Sequence, residues 1–401
     1  MYSRSLKFLD SYRSIIGVAI FCSASAAYAA GGPASGSLDV TFDVDGKVNT
    51  DFGYSESAGG VVIQADGKMI AAGQGNVARY NADGSLDSSF GVGGKVFIPI
   101  HSNNLALQSD GKIIVAGSAV VRLNSNGSLD NTFGTSGKAN IPIYGDDVAI
   151  QSDGKIVLSS DGGFTVVRLN SDGTLDNTFG SSGLVGIALD GDAKGIAVQG
   201  SNLVITGRVY NAATAYDFVV VRLTSNGSLD SSFGTAGIVI TSTSSGYDWG
   251  EDLVVQADGK IVVAGFSNFD FALVRYNSNG TLDSTFGNGG IAPVIDFDGR
   301  YDSANGIALQ ADGKIVTAGT AAYTSNVKGM YDYRFAVARY NANGTVDTRF
   351  GSQGKVTFNL FDNVTDNATS VAIQSDGKIV VAGATTAPTT AGDFAVARLN
   401  P

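Results

Sequence analysis

The chain has 401 residues, of which 43% are hydrophobic and 16% are charged, and its formal net charge is -11. Its 54 Gly against 6 Pro, without a triplet period, exclude collagen, and so apolar a composition argues against intrinsic disorder. The acidic balance should repel nucleic acid and anionic membrane surfaces, while a single Cys and a single His leave little for disulfides or for thiolate and imidazole metal sites.

Residues 1–29 have the pattern of a signal peptide. A basic region (Arg4, Lys7, Arg13) precedes an apolar run at 15–22 that is too short to span a bilayer, and Ala27-Tyr28-Ala29 fits a cleavage site. We therefore expect an exported protein in the periplasm, at the cell surface or in the medium, without a membrane span. Residues 30–36 are expected to form a short linker before a single domain at 37–401.

From residue 37 onward one phrase recurs in seven copies. It comprises an apolar run ending in Gln, x-Asp-Gly-Lys, an apolar run ending in Ala-Gly, Val-x-Arg-[Leu/Tyr]-Asn, and Leu-Asp-x-x-Phe-Gly-x-x-Gly. The copies are marked by Gln64, Gln108, Gln151, Gln199, Gln256, Gln310 and Gln374. The apolar runs are β-branched and too short for helices, so each copy predicts a four-stranded antiparallel sheet. In the fourth copy Gly200-Ser201-Asn202 replaces the usual turn and predicts an altered hairpin.

Sheets of this kind bury both faces when they pack around an axis, so the pattern predicts an all-β fold, a seven-bladed β-propeller. The chain ends three strands into its last copy, and residues 37–48 match the outer-strand phrase. We expect residues 37–48 to close the ring as the fourth strand of the C-terminal blade. The repeated Arg and Asp, such as Arg79 and Asp87, should face each other as an ion pair between blades rather than as ligand contacts; Arg398 would meet Asp39.

The phrases Q-x-DGKIVVAG and RLN-x-x-GSLD-x-x-FG resemble those of the delta-60 repeat proteins, a family of bacterial secreted β-propeller proteins, and more loosely those of NHL-type propellers. The resemblance covers essentially the whole mature chain and implies the fold, but it implies no catalytic residue. By analogy with NHL-type blades, the Gln-terminated strand is expected to be innermost. The segments that cross between blades would then surround one mouth of the central channel.

These seven crossing segments are strongly acidic. They carry only Lys194 and Arg300 as basic residues, against Asp51, Glu56, Asp146, Asp147, Asp190, Asp192, Asp248, Glu251, Asp252, Asp296, Asp298, Asp302, Asp362 and Asp366. Converging carboxylates favour a hard cation such as Ca²⁺, and the candidate ligands, each shortly before an inner strand, are Asp147, Asp192, Asp252 and Asp302. The alternative is a solvated acidic rim that keeps a secreted protein soluble.

Aromatic residues outside the repeat are expected on the same face. They are Tyr210, Tyr216, Trp249, Phe266, Phe269, Tyr323, Tyr331 and Tyr333. Exposed aromatic rings beside carboxylates would suit a saccharide, a peptide or a protein partner. The predicted ligand contacts are Trp249, Asp248, Glu251, Tyr331 and Tyr333.

The sequence assigns no catalytic residue, because His101 is the sole histidine and has no nucleophile motif beside it. The favoured function is a monomeric binding or scaffold protein that engages its partner at the acidic loops. One alternative is a Ca²⁺-dependent, lactonase-like hydrolase that uses the carboxylates of the channel mouth. A second alternative is a structural envelope protein.

Overall fold

The computed structural model describes residues 33–160, 162–297, 301–324, 331–360, 365–386 and 392–401. The predicted signal peptide at 1–29, Asp298, Arg300 and Asp362 lie outside these residues. The described chain is built from β-strands, and none of its segments is a helix that could cross a membrane. Residues from Pro33 onward form one compact unit.

The strands form seven antiparallel sheets, which we number as blades in chain order after a first strand, β1 (Lys47–Thr50), that belongs to the last blade. Blade 1 consists of β2 (Gly60–Ile63), β3 (Met69–Gly73), β4 (Asn76–Tyr80) and β5 (Lys95–Phe97). Blade 2 consists of β6 (Ser102–Leu107), β7 (Ile113–Gly117), β8 (Val120–Leu123) and β9 (Lys138–Ala139). Blade 3 consists of β10 (Gly145–Ile150), β11 (Ile156–Ser160), β12 (Thr165–Leu169) and β13 (Leu184–Gly186). Blades 4 and 5 are β14 (Gly191–Gln199), β15 (Asn202–Asn211), β16 (Ala215–Leu223), β17 (Ile238–Thr241); and β18 (Asp248–Val255), β19 (Ile261–Ser267), β20 (Asp270–Tyr276). Blades 6 and 7 are β21 (Asp302–Leu309), β22 (Ile315–Thr324), β23 (Tyr331–Tyr340), β24 (Lys355–Phe358); and β25 (Asp366–Ile373), β26 (Ile379–Thr385), β27 (Asp393–Leu399) with β1.

The first strand of each blade lines the central channel. These strands contact one another around a complete ring, with β2 beside both β6 and β25. The Gln-terminated strands are therefore innermost, as predicted. Because neighbouring strands are antiparallel, the crossing segments and the loops between second and third strands share one end of the molecule, which we call the loop face.

The apolar core lies between the blades rather than within any one of them. Ile70 and Val77 of blade 1, for example, are fully buried against Ile113 and Val115 of blade 2. All five residues of β3 are buried, so both faces of this strand are covered. This explains why the strand sequences read as nearly continuous apolar runs instead of alternating ones.

The ring closes through pairing of the two chain ends, as predicted. Strand β1 is hydrogen-bonded to β27, with Val48 opposite Val396. The strand starts later than the predicted 37–48, because Asp39 and Asp45 accept hydrogen bonds from backbone amides two residues onward and hold residues 39–46 in turns. Before those turns, Leu38 forms a single bridge to Leu399.

Two blades depart from the repeat for local chemical reasons. In blade 4, Gln199 pairs directly with Asn202, and Gly200 takes a φ of +62° at the first position of a two-residue turn, which confirms the altered hairpin. In blade 5 the fourth strand is reduced to two bridges, Phe271 to Ile295 and Val274 to Ile291. Pro293 lies between these bridges and lacks the N–H that a continuous ladder would need.

The blades differ in height on the loop face. Strands β15 and β16 of blade 4 have 10 and 9 residues, whereas β3 and β4 of blade 1 have 5 each. At about 3.3 Å per residue, the blade 4 hairpin rises roughly 15 Å farther. Blade 6 is equally tall, so the loop face has a high side and a low side.

On the opposite face, each repeated Arg joins its own blade to the next. Arg79 Nε donates to Asp87 Oδ2 at 2.8 Å, Nη1 donates to the carbonyl of Ser125 in blade 2, and the guanidinium lies 4.5 Å from the centroid of Phe90. The Arg–Asp pair recurs in every described blade, as Arg79–Asp87, Arg122–Asp130, Arg168–Asp176, Arg222–Asp230, Arg275–Asp283, Arg339–Asp347 and Arg398–Asp39. The ion pairs are structural, but each lies within one blade and not between blades as predicted; the contact between blades is the hydrogen bond to a backbone carbonyl, as from Arg79 to Ser125.

Candidate functional site on the loop face

All seven blades contribute to a cavity of about 340 Å³ at the mouth of the central channel. Its charged lining residues are Asp146, Asp147, Lys194, Glu251 and Asp252. Lys194 Nζ lies 3.1 Å from Asp146 Oδ2, so Asp146 has a cationic partner there. The loop face is thus acidic at its centre, as the sequence predicts.

Asp147 and Asp252 connect neighbouring inner strands at this mouth. Asp147 Oδ1 accepts the N–H of Val148 at 2.7 Å, and its Oδ2 accepts the N–H of Ile196 in blade 4 at 2.8 Å. Asp252 repeats the arrangement with Ile307 of blade 6, at 3.1 Å. Both carboxylates are therefore bound to backbone amides on both sides of a blade boundary.

Burial and the charge of Asp252 raise the pKa of Asp147 well above the usual range of a carboxyl, and burial likewise raises the pKa of Asp252. Burial also raises the pKa of the neighbouring Glu251. Raised carboxyl pKa values in a cleft are typical of functional sites, although structural acids show them as well. The hydrogen bonds of Asp147 and Asp252 favour the structural role here.

Stability is expected to peak at mildly acidic pH. Burial raises the pKa of Asp302 and of Asp366 to about 6, so the folded state binds protons more tightly than the unfolded state, and the free energy of unfolding falls as pH rises from about 4 through 6. Asp147 extends this loss to higher pH. Each such carboxyl lowers the free energy of unfolding by up to about 1.4 kcal/mol per pH unit while only its folded form is protonated.

Below about pH 4 the free energy of unfolding is expected to fall as pH falls. A hydrogen bond from Thr132, followed by the charge of Arg122, lowers the pKa of Asp130 to about 2, so stability that is present above pH 4 is lost as pH falls through 2. Urea denaturation between pH 2 and 9 measures the loss of stability at both ends of the range, and Asp147→Asn should reduce the loss at alkaline pH. A stability that climbs steadily from pH 5 to 8 would contradict the assignment.

Several other acids of the loop face hold the crossing segments in place. Asp248 is fully buried; its Oδ2 accepts the N–H groups of Thr243 and Ser244, and its Oδ1 accepts Ser244 Oγ–H at 2.7 Å. Asp302 and Asp366 accept backbone N–H groups of the segments before blades 6 and 7 in the same way. The predicted ligand contact Asp248 therefore lies beneath the surface, with both of its carboxylate oxygens engaged.

Aromatic rings form an unbroken chain across the high side of the loop face. Successive centroids lie between 4.7 and 6.3 Å apart, from blade 4 to blade 6. In order the rings are Tyr210, Tyr216, Trp249 and Tyr247, Phe266 and Phe269, Tyr301, Tyr331 and Tyr333. Tyr210 and Tyr301 are about half exposed. We call these nine residues the aromatic belt.

A cleft of about 490 Å³ opens beside the belt. One part of its lining is aromatic and belongs to the belt: Phe266, Phe269, Tyr301 and Tyr333. The other part is polar: Asp302, Ser303, Asn305, Thr320, Thr365 and Asn367. Its volume and mixed lining match those of small-ligand sites.

Phe269 occupies a backbone conformation that a bulky residue adopts at a cost. Asn268 and Phe269 form the two-residue turn between β19 and β20, with φ of +49° and +73°. A turn of this type favours Gly at its second position, and a side chain there costs roughly 1–2 kcal/mol. This turn conformation places the Phe269 ring at the cleft, with its centroid 4.7 Å from that of Tyr301. Backbone strain of this kind is concentrated at functional sites.

The four predicted metal ligands do not form one group. Asp147 and Asp252 line the channel mouth, whereas Asp192 Oδ2 is paired with Arg208, whose Nη2 lies at 2.6 Å. Asp302 belongs to a third place, where one carboxylate oxygen each of Asp270, Asp296 and Asp302 lie within 4.8 Å of one another.

Of the five predicted ligand contacts, Trp249, Tyr331 and Tyr333 belong to the aromatic belt, and Glu251 lines the channel mouth. The guanidinium of Arg208 lies 3.7 Å from the Trp249 centroid, so it covers one face of that ring. Sequence reasoning missed Tyr247, Tyr301 and Asp270. The two tyrosines stand on the acidic crossing segments, and their position there is the signal that could have identified them.

The family model described as "Domain of unknown function (DUF5122) beta-propeller" matches the chain at residues 64–90, 108–133, 151–179, 202–233, 256–286, 310–350 and 374–401. These segments cover each of the seven repeats. No curated protein sequence matches the chain significantly.

Solved structures match the fold at low sequence identity. A streptogramin B lyase structure aligns with a TM-score of 0.57 at 13% identity, over 88% of this chain and 97% of that one. Virginiamycin B lyase from Staphylococcus aureus aligns with a TM-score of 0.56 at 11% identity, over 88% and 98% of the two chains. YCF48 from Cyanidioschyzon merolae aligns with a TM-score of 0.51 at 11% identity, also over 88% and 98%. At these identities the likeness concerns the fold alone.

Proposed function

The chain belongs to the DUF5122 beta-propeller family, and from that premise we propose that it is an exported, monomeric binding protein that holds a saccharide in the cleft beside its aromatic belt. The observation that carries the proposal is the unbroken run of rings along this cleft. A membership among the delta-60 repeat proteins stays a prediction from the repeat phrases.

The chemistry of the cleft favours a saccharide. Aromatic faces such as those of Tyr301 and Phe269 pack against the C–H faces of a sugar ring. The side chains of Asn305 and Asn367 already hydrogen-bond to Ser303, Ala368 and Thr320, but each amide has a further N–H to donate to a sugar hydroxyl. Neighbouring Asp270, Asp296 and Asp302 disfavour anionic sugars, because like charges repel. The ligand expected is therefore a neutral or amino saccharide.

Binding is favoured over hydrolysis by the state of the channel carboxylates. Asp147 and Asp252, the acids required by a lactonase-like mechanism, each accept backbone amides from two blades. An acid that holds the ring together in this way has fewer oxygens to offer to a cation or a substrate. The binding proposal needs no such acid.

The single Trp gives a direct measurement. The ring centroid of Trp249 lies 4.9 Å from that of Phe266, which lines the cleft. Binding of a ligand in the cleft should therefore change the fluorescence of Trp249. Titration with cellotetraose, chitotetraose and a glucosamine tetramer is expected to show saturable binding for at least one sugar, and oligogalacturonate should not bind. Tyr301→Ala should weaken binding about tenfold, equivalent to about 1.4 kcal/mol.

A matched control is Phe97→Ala, which removes an exposed aromatic from the outer strand of blade 1. It should leave the affinity unchanged. Either of two results would overturn the proposal: no saccharide in the panel binds, or the one that binds does so equally well to Tyr301→Ala. Preferential binding of an oligolysine peptide would assign the cleft to a basic peptide instead.

A further inference from the structure

A group of three carboxylates lies where the closing strand pair ends on the loop face. In the β1–β27 pair Thr50 is opposite Phe394, so Asp51 and Asp393 follow as the next facing residues. One oxygen of each, together with one oxygen of Glu56, lie within 4.8 Å of one another. Like charges that face each other across an antiparallel pair are destabilising.

Two of these carboxylates are buried with an oxygen that has no hydrogen-bond partner. Glu56 and Asp393 are each 1% exposed. Glu56 Oε1 accepts the N–H of Tyr54 at 2.9 Å, and Asp393 Oδ2 accepts Asn49 Nδ2–H at 3.2 Å. Within the described chain Glu56 Oε2 and Asp393 Oδ1 have no partner. Buried polar atoms are rarely left in this state, and each such atom calls for a ligand, an ion or a water.

A basic side chain, Lys95, lies beside the group but forms no ion pair with its carboxylates within the described residues. Lys95 Nζ donates to the backbone carbonyl of Asp51 at 2.6 Å and lies 5.1 Å from the Phe52 centroid. Burial raises the pKa of Glu56, and the charges of Asp51 and Asp393 raise it further. Among the described residues the three carboxylates therefore have no cationic side chain paired with them.

The same positions in other blades show what a completed group looks like. In blade 5 they hold Asp270, Asp296 and Asp302, which also gather within 4.8 Å. There, however, the two oxygens of Asp302 accept the N–H groups of Phe297 and Ala322. Of the two three-carboxylate groups in the described chain, the one at the ring closure alone leaves buried oxygens without a partner.

Blade 4 completes its group with side chains. Its equivalent acids are Asp217 and Asp248, and Asp217 accepts hydrogen bonds from Asn211 and Thr214. In blade 6 the positions hold Arg334, Asn359 and Asp366, so a single carboxylate remains. Asp366 Oδ1 and Asp332 Oδ1 are also buried without a partner, but within the described residues only the place where the chain ends meet combines such oxygens with a group of three carboxylates.

We propose that Asp51, Glu56 and Asp393 bind one Ca²⁺ ion that fastens the N-terminal strand to the C-terminal blade. Ca²⁺ takes oxygen ligands at about 2.3–2.6 Å, so oxygens on opposite sides of the ion are about 4.6–5.2 Å apart, and three oxygens within 4.8 Å fit around it. Mg²⁺, at about 2.0–2.1 Å, needs a tighter octahedron and retains its waters. This site is separate from the saccharide cleft and goes beyond the proposed function.

The test compares thermal unfolding of the exported form of the chain, stripped with EDTA, with and without up to about 1 mM CaCl₂, the range in which extracellular calcium modules bind. The melting temperature is expected to rise by several degrees with one Ca²⁺ bound per chain by calorimetric titration, and equimolar MgCl₂ should have much less effect. Glu56→Gln and Asp393→Asn should abolish the response. In EDTA both variants should melt at or above the wild-type temperature, because they remove the repulsion.

Asp270→Asn is the matched control, since it removes the equivalent carboxylate in blade 5, and it should keep the full response. An absent Ca²⁺ response in the wild type, or a response that survives Glu56→Gln, would overturn the proposal. A response that Asp270→Asn abolishes would place the ion in blade 5 and would overturn it equally, and an equal response to Mg²⁺ would overturn the assignment to calcium. Saccharide binding by Glu56→Gln should stay intact, which separates this outcome from failure of the proposed function.

Discussion

Deletion of residues 37–50 is expected to remove most or all of the stability of the propeller. The deletion takes away the hydrogen bonds of β1 with β27 and the fully buried side chain of Phe42, whose loss from a core costs about 3–5 kcal/mol. It also removes Asp39, whose Oδ2 lies 2.7 Å from Arg398 Nε, and leaves that buried guanidinium unpaired at a further cost of about 3–5 kcal/mol. Together these losses approach the whole free energy of unfolding of a typical domain, about 5–15 kcal/mol.

The measurement is urea denaturation combined with size-exclusion chromatography, since the bared edge of β27 should also promote association. Addition of a synthetic peptide of residues 33–54 is expected to restore folding, because it supplies the missing strand in trans. If the deleted chain unfolds at the wild-type urea concentration, the strand is dispensable, and the N-terminal closure does not stabilise the ring.

Arg275→Met is expected to destabilise the protein by about 3–5 kcal/mol, the second largest effect we foresee. Arg275 Nε pairs with Asp283 at 2.8 Å, its Nη1 donates to the carbonyl of Ala342 in blade 6 at 2.6 Å, and its guanidinium lies 4.4 Å from the Phe286 centroid. The Met variant keeps an apolar side chain but leaves the buried Asp283 carboxylate without its main partner. It also removes a hydrogen bond between two blades.

The matched control is Lys260→Met. Lys260 also lies 3.0 Å from Asp283, but its side chain is 28% exposed, so its loss should cost no more than about 1 kcal/mol. The double variant Arg275→Met with Asp283→Leu should recover part of the lost stability, because it removes the unpaired charge. Equal effects of the Arg and Lys variants on the urea midpoint would show that the pair contributes no more than a surface contact.

The repeat phrase made the architecture predictable because its physics is local and recurs. The turn at residues 64–68 depends on Gly67 with a φ of +84°, and the Arg79–Asp87 pair depends on two strands joined by a short loop. Seven copies of such local rules specify a closed ring. The exact bounds of β1 were less accessible, since they depend on turn-forming hydrogen bonds of Asp39 and Asp45 that have no counterpart in a strand pattern.

The site was predictable as a region but not in its pairings. The acidic crossing segments and the aromatic loops could be identified from sequence, yet nothing in the sequence distinguishes Asp248, which is buried under its own loop, from Asp252 at the channel mouth. Asp393 was not predicted as a site residue, because it begins a third strand and does not belong to a crossing segment. Its role depends on the register of β1 against β27, which brings it opposite Asp51.

Some of the acidic residues of the loop face have a structural role. Asp248, Asp302 and Asp366 each hold backbone amides of the segment before them, so part of the acidic excess belongs to the architecture rather than to a ligand site. Replacing such an acid would disorder its loop as well as remove a charge. Variants at the exposed aromatic rings therefore test the binding proposal more cleanly than variants at these acids.

The two ends of the described chain also lie side by side, because Gly36 N–H donates to the carbonyl of Asn400 and Asn400 N–H donates to that of Ser37, each within 2.9 Å. A covalent link between them would span a very short gap. The folded ring should therefore not depend on the blade at which the chain begins. A circular permutant that starts at the turn after Gln151 should fold into the same propeller. In such a permutant the closing strand becomes an ordinary outer strand, and a different blade is built from both ends of the gene product.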